Sequence, residues 1–481
     1  MRELTIALTG ELRGEIEPCG CPTLPYGGFV RRQRLLEAIA AEGRPLFQLD
    51  AGEALLKGLV SVRHGDAADR AAAILSLMRE VGVDLMVPGP TDLSVAGVAG
   101  LQRISEHELP LVSATWTSAE GALLFPASRV LQQGDVRIGV VGLSADPGEL
   151  VTWRDPVEAA RDAVAGLPDD LDLIVAVSNL PEPERLRVAR GVPQLAAVLS
   201  TMGDTHDPSH IEGEATLIEA PDRGRYVTLI RARLASTGSL ALDPALARSL
   251  RTRDGLRAQA GAPEARDEAV RAGIQARLVE VEAELAAAGA GRNLVDIEDR
   301  PLGSDLDGEA AVGAHIAAFK EAQRDAAREN VAVDTADSGP RYATSSACVR
   351  CHSEQFARWT FTAHARATTT LRLRGDLENP ECIGCHSTGY GAPGGFAETD
   401  PVTLRAYGGV QCEACHGPLG DHPRDDAVVP RRPDTTTCLT CHDEANSPSF
   451  DFDSYLLQVI CPTRAGPATT PPGSDPPAPA P

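Results

Sequence analysis

One five-residue pattern occurs four times near the C-terminal end of the chain. Cys-x-x-Cys-His is found at residues 348–352, 382–386, 412–416 and 438–442. Two cysteines at this spacing can form thioethers with the two vinyl groups of one porphyrin, and the histidine beside them can ligate its iron. Zinc ribbons also use Cys-x-x-Cys pairs, but they need no histidine after each pair. Because all four pairs have that histidine, the pattern predicts four haem c groups rather than zinc.

The residues of the four predicted sites fall into two classes. The predicted attachment residues are Cys348, Cys351, Cys382, Cys385, Cys412, Cys415, Cys438 and Cys441. The predicted proximal iron ligands are His352, His386, His416 and His442. Four haems in so short a segment must form much of its core, close enough together for electrons to pass between them.

The composition of the C-terminal segment limits which residue types could be distal iron ligands. Every methionine and lysine of the chain precedes residue 341, which excludes a local Met/His pair and its raised potential. His/His ligation or an open position remains. The spare histidines, His364 and His422, are predicted distal ligands, and His315 is a further candidate. Each could instead be an ordinary surface or buried histidine, and an open iron could bind a small molecule.

A different cysteine pattern, Cys19-Gly20-Cys21, lies near the start of the chain. No histidine follows it, so it cannot be a haem site. A disulfide across so short a loop would be strained and would stabilise the fold little. A redox pair fits better, and a soft-metal site or an inert pair are the alternatives. Cys461 is left over and is predicted to be a buried thiol, unless it pairs with this loop.

Residues 1–235 alternate short apolar runs with amphipathic ones, which predicts a layered α/β domain. The late strands are expected at an antiparallel edge. The predicted strands are 4–8, 45–52, 84–89, 109–116, 136–143, 172–179, 215–220 and 225–234, and the predicted helices are 30–43 and 66–82.

The rest of the chain divides into three parts. Residues 236–340 are predicted to be a helical connector with helices at 264–289 and 307–330. Residues 341–463 are the predicted tetrahaem domain, packed around haem and mostly helical or irregular. Residues 464–481 are rich in proline and are expected to be a disordered tail. The fold class is therefore α/β, followed by a connector and a haem-packed domain.

Composition and charge limit the partners and the cellular location that we expect for this protein. The net charge of −23 argues against binding to nucleic acid, and no apolar run approaches the roughly 20 residues of a membrane helix. Met1-Arg2-Glu3 leads directly into the first predicted strand, with no export signal. Haem c is attached outside the cytoplasm, so we expect a periplasmic or otherwise extracytoplasmic protein whose signal preceded this sequence.

The C-terminal motifs resemble those of the cytochrome c-554 family. The blocks CVRCHSEQFARWTFTAHARA, NPECIGCHSTGYGAPGGF and GGVQCEACHGPLGDH carry this resemblance over about residues 345–445. It implies that His364 and His422 ligate haems other than the nearest. Family members carry electrons, and some relatives oxidise or reduce small nitrogen compounds at an open haem.

The N-terminal residues resemble the 5′-nucleotidase type of metallophosphatase. The segments LTGELRG, DAGE and PGPTDL stand where that family has metal-binding blocks, and of the expected ligands only a histidine is kept. An arginine and a proline replace others, and two-metal hydrolysis needs intact ligands. The resemblance therefore implies the fold without phosphatase activity. The positions of the family's ligands are Glu11, Arg13, Glu53, Pro90, Asn179, Asp204 and His206.

These observations predict a tetrahaem cytochrome that carries electrons between redox partners. Its α/β domain would dock a partner or substrate, and the thiols of Cys19 and Cys21 could exchange electrons with the haems. The alternative is a redox enzyme that acts on a small nitrogen or sulfur compound at an open haem or at the cysteine pair. A metal-dependent phosphoesterase is the weakest interpretation.

Overall fold

The structure is a computed structural model of the chain, and it forms two compact units, Met1–Phe319 and Lys320–Pro481. The residues it describes are 2–18, 26–55, 67–201, 209–221, 223–235, 240–261, 268–288, 291–334, 341–374, 377, 379–392, 394–396, 399–420, 422, 424, 430–442, 446–447 and 449–459.

The described residues of the first unit form two six-stranded sheets and a two-stranded one. Their orders are β13-β14-β12-β1-β2-β3, β10-β11-β9-β8-β6-β5 and β4-β7. The strands are β1 (Arg2–Thr9), β2 (Leu46–Asp50), β3 (Leu85–Met86), β4 (Trp116–Thr117), β5 (Ser128–Gln133), β6 (Val136–Leu143), β7 (Thr152–Trp153), β8 (Leu173–Ser178), β9 (Ala197–Thr201), β10 (His210–Glu212), β11 (Ala215–Ala220), β12 (Tyr226–Leu234), β13 (Leu240–Ala241) and β14 (Asn293–Pro301).

Helices cover the outer faces of the two large sheets. Alternate residues of β1 illustrate the layers: Leu4, Ile6 and Leu8 lie in the core between the sheets, and Ala7 lies in the core under the helices. The predicted layered α/β fold is confirmed. The helices of this part of the chain are α1 (Phe29–Ala40), α2 (Ala67–Glu80), α3 (Pro90–His107), α4 (Pro156–Ala165), α5 (Glu182–Gly191), α6 (Pro244–Gly261), α7 (Glu268–Ala288) and α8 (Val312–Asp334).

Three predicted strands differ from the structure. β11, expected at an antiparallel edge, lies between β10 and β9 and is parallel to β9. Residues 109–115 form no regular strand, only an isolated bridge between Leu111 and Met86, since Pro110 cannot donate to a ladder. β12 is antiparallel as predicted, but it is not at an edge. It lies between β1 and β14, and the pairing with β14 runs from Tyr226–Pro301 to Arg233–Leu294.

The predicted connector, residues 236–340, contributes strands as well as helices. β13 and β14 join the first sheet, and α6 packs on α7 around a small core that includes Leu246, Leu250 and Leu285. The predicted helices at 264–289 and 307–330 correspond to α7 and α8. The domain boundaries themselves remain a prediction.

The second unit is built from short helices, with a small described core of Leu371, Ile383 and Phe396. This agrees with the mostly helical or irregular fold that was predicted. Within the described ranges, no helix of either unit is both long and apolar enough to cross a bilayer. The helices are α9 (Ser345–Cys348), α10 (Ser353–Thr360), α11 (Ala367–Arg374), α12 (Pro380–His386), α13 (Pro401–Tyr407), α14 (Cys412–His416), α15 (Thr435–Leu439) and α16 (Phe452–Val459).

Candidate functional site

Each Cys-x-x-Cys-His motif lies on or at the end of a short helix. The second and third motifs lie within α12 and α14, and the first and fourth continue the ends of α9 and α15. In the first and fourth motifs, the backbone N–H of the histidine donates to the backbone carbonyl of the first cysteine at 2.9 Å. This single helical turn brings residues i, i+3 and i+4 to one side, as attachment of one porphyrin requires. The eight motif cysteines, all described, form no disulfide, so their thiols remain available for thioethers.

Three of the predicted proximal histidines have Nδ1 hydrogen-bonded within the protein, two to backbone carbonyls and one to a serine hydroxyl. A carbonyl accepts from Nδ1–H and so leaves Nε2 bare for a metal, whereas the hydroxyl can accept or donate. The residues present therefore fit the ligation of haem iron. The three contacts are His386 Nδ1 to Ala367 O (2.8 Å), His416 Nδ1 to Arg431 O (3.0 Å) and His442 Nδ1 to Ser447 Oγ (2.8 Å). His352, in the first motif, is exposed.

The rings of His364 and His442 face each other with their centroids 6.0 Å apart and their planes at 42°. Two imidazoles bonded at about 2 Å to opposite sides of one metal ion have centroids on the order of 6 Å apart. Burial and then the neighbouring His442 and His386 lower the pKa of His364, so its ring stays neutral, as a ligand must. The ring of His364 therefore lies, at a spacing that one metal ion could bridge, beside His442, the predicted proximal residue of the fourth motif.

The His442 ring is also enclosed by aromatic residues. Phe450 stacks on it with centroids 5.0 Å apart and planes at 13°, and Tyr455 meets it edge-on at 5.4 Å. Together with the contact to Ser447, these rings leave the imidazole little freedom to rotate. Sequence reasoning missed them, because nothing in their spacing from the motif marks them as contacts.

The first and third motifs also meet. The thiol of Cys412 lowers the pKa of Cys348, so the first cysteines of the two motifs lie near each other. Gln411, just before the third motif, accepts a hydrogen bond from Ser345 N at 2.8 Å. Two predicted haem sites therefore share a boundary within this unit.

The remaining predicted residues are placed as follows. His422 is half-buried, and its N–H donates to Leu419 O at 2.9 Å. His315 lies on α8 within the first unit, with Nδ1 3.2 Å from Glu80 Oε2. Their roles as iron ligands remain predictions. Cys19, Cys21, Asp204, His206 and Cys461, with the tail 464–481, lie outside the described residues.

Three residues beyond the ends of β1 and β2 have a left-handed backbone. Glu11, Arg13 and Glu53 have φ angles of 45°, 48° and 55°, a conformation that costs energy for residues other than glycine and tends to cluster at functional sites. The guanidinium of Arg13 pairs with the Glu11 carboxylate at 2.7 Å. A cation of the protein therefore lies beside this rim carboxylate.

Two further rim side chains are bonded to the backbone. Asn179 Nδ2 donates to Ala51 O at 2.8 Å and Val87 O at 3.1 Å, and its Oδ1 accepts from Ala145 N at 2.7 Å. Asp92, which sequence reasoning missed, is fully buried, and its carboxylate accepts from four N–H groups. The donors are Gly89, Glu53, Ala54 and Leu55, at 2.8 to 2.9 Å.

The described rim does not fit a two-metal centre. Among the described residues, no three His, Cys, Asp or Glu side chains converge in a way that could hold a metal ion. Arg13 pairs with Glu11, and Pro90 starts α3 without any ligating group. Two-metal hydrolysis needs both ions clamped by intact ligands, so we assign no hydrolytic step to these residues.

The Glu53→Gln variant is expected to flatten the pH dependence of the first unit's stability. Burial, and then the Asp92 charge, raises the pKa of Glu53 from 4.5 to about 8. Folding therefore favours protonated Glu53. The stability that this proton binding contributes to the fold is fully present below pH 4.5 and is lost as pH rises to about 8. We expect the wild type to lose about 2 kcal/mol of unfolding free energy between about pH 6.5 and about pH 9.

Urea unfolding followed by the fluorescence of Trp116 and Trp153, both in the first unit, measures this effect. Glu149→Gln removes an exposed carboxylate and should keep the wild-type slope. Equal slopes for Glu53→Gln and the wild type would show that Glu53 does not bind the proton.

Comparisons with known proteins agree with the C-terminal motifs. The family described as cytochrome c554 and c-prime matches residues 347–417. Cytochrome c-554 from Nitrosomonas europaea is 33% identical over 94 residues, which cover 16% of this chain and 39% of that protein. The chain therefore matches well under half the length of that relative.

Solved structures similar to this chain include two from Thermus thermophilus. A 5′-nucleotidase precursor is 19% identical, with a TM-score of 0.46, over 67% of this chain and 59% of its own. The sulfate thiohydrolase SoxB is 14% identical, with a TM-score of 0.49, over 68% of this chain and 61% of its own. The predicted resemblance of the C-terminal segment to the cytochrome c-554 family is confirmed over residues 347–417, in a chain whose first unit has the predicted layered α/β architecture.

Proposed function

We propose that this protein is an extracytoplasmic tetrahaem c-type cytochrome that carries electrons between redox partners. The observation that carries the proposal is the set of four Cys-x-x-Cys-His turns in one unit, three of them with an anchored histidine. Bound haem would supply a reversible one-electron Fe³⁺/Fe²⁺ couple. The cysteines would hold it through thioethers, and the attachment of haem c outside the cytoplasm supports an extracytoplasmic location.

The chain's own residues suit a carrier at the fourth motif. The rings of His442 and His364 lie 6.0 Å apart, the lowered pKa of His364 favours its neutral imidazole, and Nδ1 of His442 is in contact with Ser447. Such a pair could hold one haem iron between its two imidazoles and would then exclude water and small ligands from it. Electron transfer without bond making is what that arrangement favours.

Contacts between the motif segments support transfer from site to site. The first and third motifs meet at Cys348 and Cys412. The turn at His364, which faces the fourth motif, also accepts a hydrogen bond from Val410 N at 3.0 Å, just before the third motif. Gly409 N donates to the carbonyl of His386 in the second motif at 3.1 Å. These contacts thus connect the segments of all four motifs within one unit.

A redox enzyme is the second candidate function. Within the described residues, one proximal histidine, His442, faces another histidine ring. An iron without a distal ligand could bind a small nitrogen or sulfur compound, and electron paramagnetic resonance distinguishes the two functions. A high-spin signal that shifts with nitric oxide or hydroxylamine favours the enzyme, whereas low-spin iron at all sites favours the carrier.

Purified protein from a host that matures c-type cytochromes is expected to contain four haems per chain. The double variant Cys438→Ser, Cys441→Ser should contain three, because the fourth porphyrin has no sulfur to bind. Pyridine haemochrome spectra and intact mass measure both numbers. Cys461→Ser changes a cysteine outside the motifs and should leave four. A colourless protein that binds zinc instead would contradict the proposal.

A further inference from the structure

Glu413 is a buried carboxylate within the third motif. It lies between Cys412 and Ala414 and is only 2% exposed. Burial of a charged group is costly unless hydrogen bonds hold the charge. Neither the thioether bonds nor the iron ligands predicted for this motif require a carboxylate at this position, so its presence needs another explanation.

The hydrogen bonds of Glu413 come from two separate segments of the chain. Its oxygens accept from Ala343 N at 2.9 Å and Thr344 N at 2.8 Å, both just before the first motif. Leu419 N, just after the third motif, donates at 2.7 Å. Among the described residues, no arginine, lysine or histidine forms an ion pair with it. Its donors are neutral backbone groups, and the guanidinium of Arg431, which donates to Ala414 O and Cys415 O in the same motif, forms no ion pair with it.

The same carboxylate holds a strained residue. Thr344 has a φ of 66°, which is unfavourable for a β-branched side chain, and it starts the helix that ends at Cys348. Since the Thr344 N–H is bonded to Glu413, the carboxylate fixes the direction in which the first motif begins. The hydrogen bond from Ser345 N to Gln411 Oε1, at 2.8 Å, lies at the same junction.

The charge of Glu413 is also felt around this junction. Burial, followed by the Glu413 charge, raises the pKa of Tyr342 and that of Tyr407. These tyrosines lie on separate segments, one before the first motif and one before the third. The Glu413 charge therefore acts on residues on both sides of the boundary between the two motifs, and at Tyr342 the cation of Arg431 opposes it.

We propose that Glu413 is a positioning residue that joins the first and third haem-attachment motifs and lowers the reduction potential of the haems they hold. The inference rests on the proposed function, since it needs haem at both motifs. Reduction adds one electron, supplied by a redox partner, to ferric iron and gives ferrous iron. A nearby negative charge favours the more positive ferric form, so its removal should raise the potential.

Glu413→Gln in the full chain tests this inference, because it keeps one carbonyl acceptor and the shape but removes the charge. We expect four haems and, at a fixed ambient potential, a several-fold to tenfold higher ratio of reduced to oxidised haem at two sites. Tenfold corresponds to about 59 mV for a one-electron couple. The measurement is a dithionite titration in a potentiometric cell, read in the visible haem bands.

Glu354→Gln is the matched control, because Glu354 is an exposed carboxylate two residues after His352. It should shift the titration much less, since solvent screens its charge. A fully loaded Glu413→Gln protein whose titration overlaps that of the wild type would overturn the inference. A wild-type protein that contains no haem would instead refute the proposed function.

If the Glu413→Gln protein contains fewer than four haems, the Glu413→Asp variant shows whether the loss of haem comes from the missing charge or from another effect of the substitution. The shorter carboxylate keeps the charge, so it should restore attachment with potentials close to those of the wild type. Potentials in Glu413→Asp that are raised as far as in Glu413→Gln would count against a role for the charge.

Discussion

Replacement of His364 by alanine is expected to convert one of the four proposed haems from low spin to high spin. The His364 ring lies 6.0 Å from that of His442, the spacing of two imidazoles on one metal ion. Alanine leaves the iron held by His442 without its second imidazole, and a weaker field at that position favours high spin. Low-temperature electron paramagnetic resonance and the visible spectrum of the oxidised protein measure the change, and the haem count should stay at four.

Two further variants make this expectation specific. His364→Met offers a thioether in place of the imidazole and should raise the potential of one haem, because Met/His ligation has that effect. His107→Ala removes an exposed histidine of the first unit and should change nothing. An unchanged low-spin spectrum in His364→Ala would mean that His364 does not ligate iron.

The pairing of His364 shows where sequence reasoning stops. The four motifs can be recognised in the sequence because attachment of one porphyrin requires a fixed spacing of two cysteines and a histidine. His364 could be picked out as a spare histidine, and the family resemblance implied that it serves a distant haem. Its partner in the fourth motif could not be chosen from the sequence, since the choice depends on how separate turns pack together.

In the first unit, the clearest patterns were predicted and the mixed ones were missed. β6 was found because its apolar run is buried along almost its whole length. The sequence predicts a helical connector where β14 lies, because charged residues interrupt the apolar residues of this strand. The structure places two of these charges in ion pairs, Asp296 with Arg251 and Glu298 with Arg231, each at 2.7 Å.

Some missed elements carried local signals. α4 begins at Asp155-Pro156, where the carboxylate accepts from Val157 N at 2.9 Å and Glu158 N at 3.1 Å. An acidic N-cap followed by proline is a typical helix start and could have revealed this helix. No comparable signal exists for the four donors of Asp92, because the chain brings them from two separate segments.

The Asp92→Ala variant is expected to lower the unfolding free energy of the first unit by about 4 kcal/mol. Four backbone N–H groups at the buried end of β2 and the start of α3 lose their acceptor, and a buried donor without a partner costs about 1–3 kcal/mol. Asp92→Asn keeps one carbonyl oxygen and should lose about half as much. Urea unfolding at about pH 7.5, followed by the fluorescence of Trp116 and Trp153, measures both.

The matched control is Asp135→Ala, which removes a carboxylate that is 81% exposed and lies 3.8 Å from Arg2. It should change the unfolding free energy by less than about 0.5 kcal/mol, because exposed ion pairs contribute little. The described contacts of Asp92 all lie in the first unit, so the haem absorbance should stay as in the wild type. If Asp92→Ala unfolds at the same urea concentration as Asp135→Ala, the four hydrogen bonds do not hold the rim together.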